Sequence, residues 1–328
     1  MNILQRPYTS EADLSAILAL KQVCATSQNL YDRPTTSDVR RLLTLPTDHA
    51  GQTMDEPDRQ QTFQGLSPEH RYRALTRRLT RLWEDERGQL MAYALIAQPG
   101  SSLTFQVHPR ARGQGLEEAI LTWGLAQMQA LAHARGVPRE LWCRCHESEH
   151  ERRRVLEAAG FRPLFEPDLR LIHALATPVP LVPFPHGYSL KLGVTQAELD
   201  AYQKLHRVVF DGVSINMEYH ESSFYQPELD LVAVEESGQF AAFCQCELKQ
   251  VTDQQSERLV GEVGLIGTRP DLTRRGLGRA LLLTGLRRLQ EGGATSVYLE
   301  TSELNVLAQR LFTSVGFVQI STWQWYAK

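Results

Sequence analysis

The sequence predicts a mixed α/β fold built twice along one chain, and three observations carry that expectation. A Gly-rich signature recurs in the two halves, as His108-Pro109-Arg110-Ala111-Arg112-Gly113-Gln114-Gly115-Leu116-Glu117 and as Arg269-Pro270-Asp271-Leu272-Thr273-Arg274-Arg275-Gly276-Leu277-Gly278. Each copy closes on a Gly-Phe pair about 40 residues later, Gly160-Phe161 and Gly316-Phe317. Between the halves, Thr177 to Gly187 holds Pro178, Pro180, Pro183 and Pro185, which neither a helix nor a central strand tolerates. A repeat of half a chain is a duplicated domain, not a solenoid. The expected division is a first domain over 1–176, an extended linker over 177–187 and a second domain over 188–328.

The elements follow in the same order in each half. A short strand leads into helices, the first over Glu11 to Ala25 and its counterpart over Gln196 to Val209. Next comes a strand pair about a turn, Arg81–Glu84 with Gln89–Ala97, mirrored by Asp230–Glu235 with Gln239–Leu248. A third strand, Leu103–Val107 or Glu262–Thr268, feeds the Gly-rich loop, and the following helix runs to Ala134 or to Gln290, where Gly292-Gly293 supplies a stop. Another strand (Leu141–Cys145; Ser296–Glu300), a short helix and a final strand complete each half. Residues 45 to 70 are polar and punctuated by Pro and Gly, so they read as a loop-rich insertion.

Composition narrows the function. The chain has 328 residues, 42% hydrophobic and 22% charged, and a net charge of −3, the values of a globular protein with no general basic face for nucleic acid. Basic clusters at Arg71 to Arg81, Arg152 to Arg154 and Arg274 to Arg279 can still meet a phosphorylated ligand. No apolar run is long enough to cross a bilayer and no secretory core opens the chain, which leads us to expect a cytoplasmic protein with no membrane partner. Five cysteines, Cys24, Cys143, Cys145, Cys244 and Cys246, fit reduced thiols. The two Cys-x-Cys pairs lack further ligands at metal spacing, so core thiols and no metal are expected.

Glycines where a strand turns into a helix let successive amide N–H groups approach an anion, and the helix N-terminus adds favourable field. With Arg274, Arg275 and Arg279 around the same point, the expected ligand is a diphosphate. A Walker loop needs Lys-Ser/Thr after the second Gly, and neither copy has it. A dinucleotide fingerprint needs a small residue where Leu281 stands. The remaining pattern, Pro270, then Arg274-Arg275-Gly276-Leu277-Gly278-Arg279-Ala280, then Asn305-x-x-Ala308-x-x-Leu311-Phe312-x-x-x-Gly316-Phe317, closely resembles the GNAT N-acetyltransferase superfamily. The tandem arrangement is similar to that of mycothiol synthase-like proteins. The likeness is strong over about 230–328 and weak over about 80–165.

That resemblance implies two tandem GNAT domains, α/β of a mixed, α+β-like kind, each a twisted and mostly antiparallel sheet with a splayed central strand pair flanked by helices. It implies acetyl-CoA as the acyl-donor substrate, a small-molecule amine as acceptor, and a monomer or homodimer. The backbone of Ile266, Gly267 and Thr268 would then bind the pantetheine arm, Thr273, Arg274, Arg275, Gly276, Leu277, Gly278 and Arg279 the pyrophosphate, and Asn305 the arm again. Thr273 stands where the family carries Gln or Arg. Glu262, fourteen residues before Gly276, takes the place of the family's general base, a group the chemistry requires because an ammonium must lose a proton before attack. Phe312 replaces the tyrosine that many members use to protonate the departing thiolate, with Tyr326 and Ser302 as neighbours in sequence that could substitute. The segment Asp211 to Tyr225 would shape the acceptor pocket.

The first half departs from the pattern. Aligned on the prolines, Glu117 stands for Gly278 and Ser101 for Glu262; aligned on Gly-Phe, Glu149 stands for Asn305. A carboxylate beside a diphosphate costs Coulomb energy. A second register, Arg110-x-x-Gly113-x-Gly115, matches the motif literally and also lacks a glutamate base. The first domain is therefore expected to be structural and the second to hold the coenzyme and the chemistry. Rival readings are a catalytically silent coenzyme-binding scaffold and transfer of a longer acyl group.

Overall fold

In the computed structural model, residues 2–25, 34–44, 68–97, 101–212, 220, 224–252 and 257–328 are described. Most of the expected insertion and most of the expected acceptor segment lie outside them. The strands are β1 (Ile3–Pro7), β2 (Thr80–Asp85), β3 (Leu90–Ala97), β4 (Ser102–Val107), β5 (Trp142–His146), β6 (Arg162–Pro163), β7 (Asp168–Ala174), β8 (Tyr188–Leu192), β9 (Asp230–Glu235), β10 (Phe240–Thr252), β11 (Glu257–Thr268), β12 (Ser296–Ser302) and β13 (Val318–Ala327). The helices are α1 (Glu11–Cys24), α2 (Thr36–Leu43), α3 (Pro68–Arg78), α4 (Leu116–Arg135), α5 (His150–Ala158), α6 (Leu199–Val209), α7 (Leu277–Glu291) and α8 (Val306–Ser314). The sequence had no helix at α2, and α3 begins inside the stretch read as loop. Thr35 explains α2: its hydroxyl caps the Asp38 amide at 3.2 Å while the Asp38 carboxylate accepts from the Thr35 amide.

The chain forms two compact units. The first comprises residues 1–167 with 252–256 and 322–328, the second 168–251 with 257–321. The last strand of each half is thus exchanged: β7 belongs to the second unit, and the end of β13 belongs to the first. In the first unit the strand order is β1-β2-β3-β4-β5 and then β13, with β4 and β5 parallel and Trp323–Ala327 of β13 antiparallel to β5. In the second unit the order is β7-β12-β11-β10-β9-β8, with β11 and β12 parallel and β7 antiparallel to β12.

Alternation along the strands places one helix layer on each face of a sheet. In the second unit, Val263, Val297 and Leu299 meet Leu281, Leu286 and Leu289 of α7, while Val232 and Phe243 meet Tyr202 and Leu205 of α6 on the other face. Gly261 lets α7 sit directly on β11, since a Cβ there would fall 2.6 Å from Leu289. The Pro-rich segment is tied to α7, with the Val179 amide donating to Gln290 Oε1 at 3.0 Å. In the first unit α4 covers Leu103 and Cys143 on one face, and α1 covers Leu82 and Tyr93 on the other. All five cysteines are buried thiols. Burial pushes the Cys145 thiol up to about 12.

Candidate active site

The two Gly-rich loops share one backbone. Gly276 caps α7 at φ 85° and Gly115 caps α4 at φ 88°; two residues earlier, Arg274 has φ 63° and Gly113 has φ 66°. That left-handed geometry is the reason for glycine at the cap. It also fixes the repeat on the proline register, with Glu117 at the place of Gly278, and overturns the literal match through Arg110.

In the second unit the place of a Cβ on Gly278 has only Leu311 at 3.5 Å and Thr268 Oγ1 at 3.6 Å as near neighbours. The amides of Leu277, Gly278 and Arg279 belong to the first turn of α7, where helix geometry provides no partner and the dipole is positive. In the first unit the chain supplies its own anion: Glu117 Oε1 accepts from the Gly113 amide at 3.4 Å. The side chains around the second loop are partly engaged. Thr273 Oγ1 donates to the Pro270 carbonyl at 3.0 Å, Arg275 to Tyr188 Oη at 3.1 Å, and Arg279 to the Ser314 carbonyl and hydroxyl at 3.1 and 2.9 Å. Arg279 therefore braces α7 against α8, whereas Arg274 and Arg275 are exposed at the loop.

Beyond the loop, β11 and β12 separate. They pair only at Gly261 with Val297, Glu262 with Tyr298 and Val263 with Leu299, although β11 continues to Thr268 and β12 to Ser302. Val263 packs under α7 and Leu265, two residues on, packs under α6. Two residues of a regular strand share a face, so β11 is irregular at Gly264. Gly264 is exposed, and Leu265 to Thr268 are half-buried in a central strand, because the gap leaves that side open. Ile266, Gly267 and Thr268 thus border the gap.

The first unit has the same gap, since β4 pairs β5 only at Ser102 and Leu103. There Arg152 fills it. Its guanidinium lies 3.9 Å from the Phe105 ring centroid, donates to the Phe105 carbonyl at 3.3 Å and meets Glu149 Oε1 at 3.2 Å. Burial would raise the Glu149 pKa, but the Arg152 charge and the His146 amide outweigh it and hold the carboxylate below its usual range. Glu149 stands at the N-cap position of α5 as Asn305 does at α8, though only Asn305 makes a side-chain capping hydrogen bond, so Arg152 occupies the place of Ala308. The sequence contained that signal, an arginine three residues after the cap in place of alanine, and it was missed.

Glu262 is 2% exposed and faces the α6 side of the sheet, since its neighbours Gly261 and Val263 pack toward α7. Lys249 Nζ stands 2.6 Å from its Oε2, and the Tyr298 hydroxyl donates to the same oxygen at 2.9 Å. Glu247 lies 3.6 Å from Lys249, and farther along the same face Arg170 pairs with Glu300, its guanidinium over the Tyr298 ring at 5.4 Å. A buried lysine beside a buried carboxylate makes each partner depend on the other, because removing either leaves the other uncompensated in a poor dielectric. Sequence spacing singled out Glu262 but not Lys249 or Tyr298, which come from neighbouring strands.

Asn305 Oδ1 accepts from the Ala308 amide at 3.2 Å, so one end of its amide caps α8. Phe312 is 3% exposed and packs near Phe317 in the core. Tyr326 sits opposite Cys143 in the core of the first unit and is 3% exposed. Ser302 Oγ accepts from the Leu304 amide at 3.2 Å.

Three comparisons bear on this geometry. The sequence profile described as Acetyltransferase (GNAT) family matches residues 197–317. A protein of Nocardiopsis dassonvillei named mycothiol acetyltransferase is 28% identical over 271 residues, covering 74% of this chain and 79% of that protein. Among solved structures, a GCN5-related N-acetyltransferase from Sphaerobacter thermophilus superposes with a TM-score of 0.70 at 22% identity, over 99% of this chain and 95% of its own. A tandem GNAT protein from the clavulanic acid biosynthesis pathway superposes with a TM-score of 0.66 at 15% identity, over 100% and 98%. At such identities these two structures speak for the fold. Among the described residues no helix is long and apolar enough to cross a membrane.

Proposed function

The chain belongs to the GNAT superfamily and is an N-acetyltransferase, and from that premise we propose that the second domain, 188–328, binds acetyl-CoA and acetylates a small amine by direct transfer. The observation that carries this reading is the contrast at Gly278. The second loop offers open helix amides, while Glu117 and Arg152 fill the matching loop and gap of the first domain, 1–176, which is then structural.

The residues present fit the donor. The diphosphate would rest on the amides of Leu277 and Gly278 with Arg274 and Arg275 alongside, and the pantetheine arm would run past Ile266, Gly267 and Thr268 with Asn305 opposite. The gap between β11 and β12 is then the route from the α7 face, where the phosphates sit, to the α6 face, where Glu262 stands. The acceptor amine attacks the thioester carbonyl carbon; the C–N bond forms, the C–S bond breaks, and coenzyme A leaves as thiolate. The ammonium proton passes to Glu262 through water, since the carboxylate is buried. With Phe312 in place of a tyrosine and closed into the core, the thiolate leaves stabilised by water. Free thiols suit a reducing cytoplasm, and the protein is taken as a monomer or homodimer.

A second reading rests on the Lys249–Glu262 pair. It makes Glu262 a structural member of a polar ladder with Lys249, Tyr298, Arg170 and Glu300, and leaves the amine to react as the free base. Coenzyme A release across an amine panel, with Glu262→Gln beside the parent from pH 6 to 9, separates the two. A loss confined to low pH supports the base; a pH-independent or negligible change supports the ladder.

A further inference from the structure

On the α6 face of the second unit lies a histidine that the proposed transfer does not use. His206 is 1% exposed, and both of its ring nitrogens are buried without a hydrogen-bond partner among the described residues. The ring stacks on Phe243 at 3.9 Å with planes 22° apart, and meets the edge of Tyr202 at 4.7 Å and Phe210 at 5.8 Å. The neighbouring carboxylate is engaged elsewhere: Asp230 accepts from Tyr202 at 2.9 Å and Tyr225 at 2.8 Å, and lies 3.1 Å from His220 Nε2. Burial lowers the His206 pKa to about 4, opposed by Asp230 and reinforced by His220, so the ring is neutral and presents one N–H and one lone pair.

Its position ties that donor and acceptor to the transfer site. His206 and Val209 share one face of α6, which packs on β11. Val209 and Phe243 are the two side chains against Gly267, the strand segment bordering the gap. Glu262 stands on the same face of the sheet. A buried polar group with neither hydrogen bond made is costly to the fold and calls for a partner.

We propose that His206 is an acceptor-binding residue, which holds a neutral hydroxyl or amide group carried by the acceptor near its reacting amine. Such a group can meet either ring nitrogen, accepting from the N–H or donating to the lone pair. An ammonium supplies donors only, so the amine itself is left for Glu262. The aromatic rings of Phe243, Phe210 and Tyr202 around it would favour a small polar group carried on an otherwise apolar or flat frame. The inference rests on the reading of the second domain as the transferase.

The test compares His206→Phe and His206→Gln with the parent, using acetyl-CoA with glucosamine, serinamide, phenethylamine and putrescine as acceptor probes. His206→Phe removes two unsatisfied atoms and keeps the ring stack, so its melting temperature should rise by roughly 2–4 °C. Its acetyl-CoA affinity should stay within about twofold, while KM for glucosamine or serinamide rises about tenfold and that for phenethylamine does not. His206→Gln, which retains a donor and an acceptor, should recover part of that loss. A stabilised His206→Phe with unchanged KM for every probe, or equal losses for phenethylamine and glucosamine, overturns the assignment. Turnover of phenethylamine and putrescine alone by the parent overturns it too. No turnover of any probe together with no acetyl-CoA binding overturns the transferase reading on which it rests, and is told apart by the parent's calorimetry.

Discussion

Replacing Gly278 by glutamate writes into the second domain the residue that the first already carries, and should weaken coenzyme binding without harming the fold. Gly278 lies in the first turn of α7 and outside the left-handed region, and its new Cβ would meet Leu311 and Thr268 at 3.5 and 3.6 Å, ordinary contact distances. Exchanging glycine for glutamate in a helix gains roughly 0.5–1 kcal/mol, and a carboxylate in the first turn adds about 0.3–1 kcal/mol more. The opposing effect acts only on the ligand. A carboxylate about 4 Å from one phosphate charge costs about 1 kcal/mol at the dielectric of water and about 4 kcal/mol at an effective value near 20. The acetyl-CoA Kd should therefore rise by roughly 5-fold to 10³-fold, read by titration calorimetry, with a melting temperature equal to or above the parent's. An unchanged Kd in a folded variant refutes the assignment of the coenzyme to this loop.

Three further outcomes are expected. Glu262→Gln should leave acetyl-CoA affinity nearly unchanged and lower turnover by about 10²–10⁴, less at high pH where the amine is already free. Lys249→Met strands the Glu262 charge and should cost about 3–5 kcal/mol in urea unfolding, while Lys249→Met with Glu262→Gln recovers most of it; equal losses in both would dissolve the pair as a unit. The depressed His206 pKa means that the unfolded chain binds a proton the native ring refuses. No stability is lost above pH 6.5, and a loss approaching about 3 kcal/mol accumulates as pH falls from 6.5 toward 4. His206→Phe should be flatter than the parent over that window by the difference in urea midpoints at pH 7 and 5.

The duplication and the loop were legible because glycine and proline act locally. Gly276 and Gly115 must stand where the backbone turns left-handed, and the same spacing marks both helix starts. The strand exchange was not legible. β7 and β13 are ordinary alternating runs, and nothing in Leu169 or Trp323 names the sheet it will join. Glu262 was found from its distance to Gly276, but its partners Lys249 and Tyr298 belong to β10 and β12 and meet it only when strand register is known. Arg152 is a surface-like arginine in sequence and becomes a plug only because α5 starts at Glu149. His206 reads as one polar residue of an amphipathic helix; its isolation depends on Phe243 closing over it.

A crystal structure of the chain grown with acetyl-CoA tests the central claim most directly. The result predicted is a single coenzyme, its diphosphate on the amides of Leu277 and Gly278 and its thioester in the gap between β11 and β12, with Glu117 and Arg152 still in place in the first unit. A coenzyme seated at the start of α4, with Glu117 and Arg152 swung aside and the α7 loop empty, would contradict it.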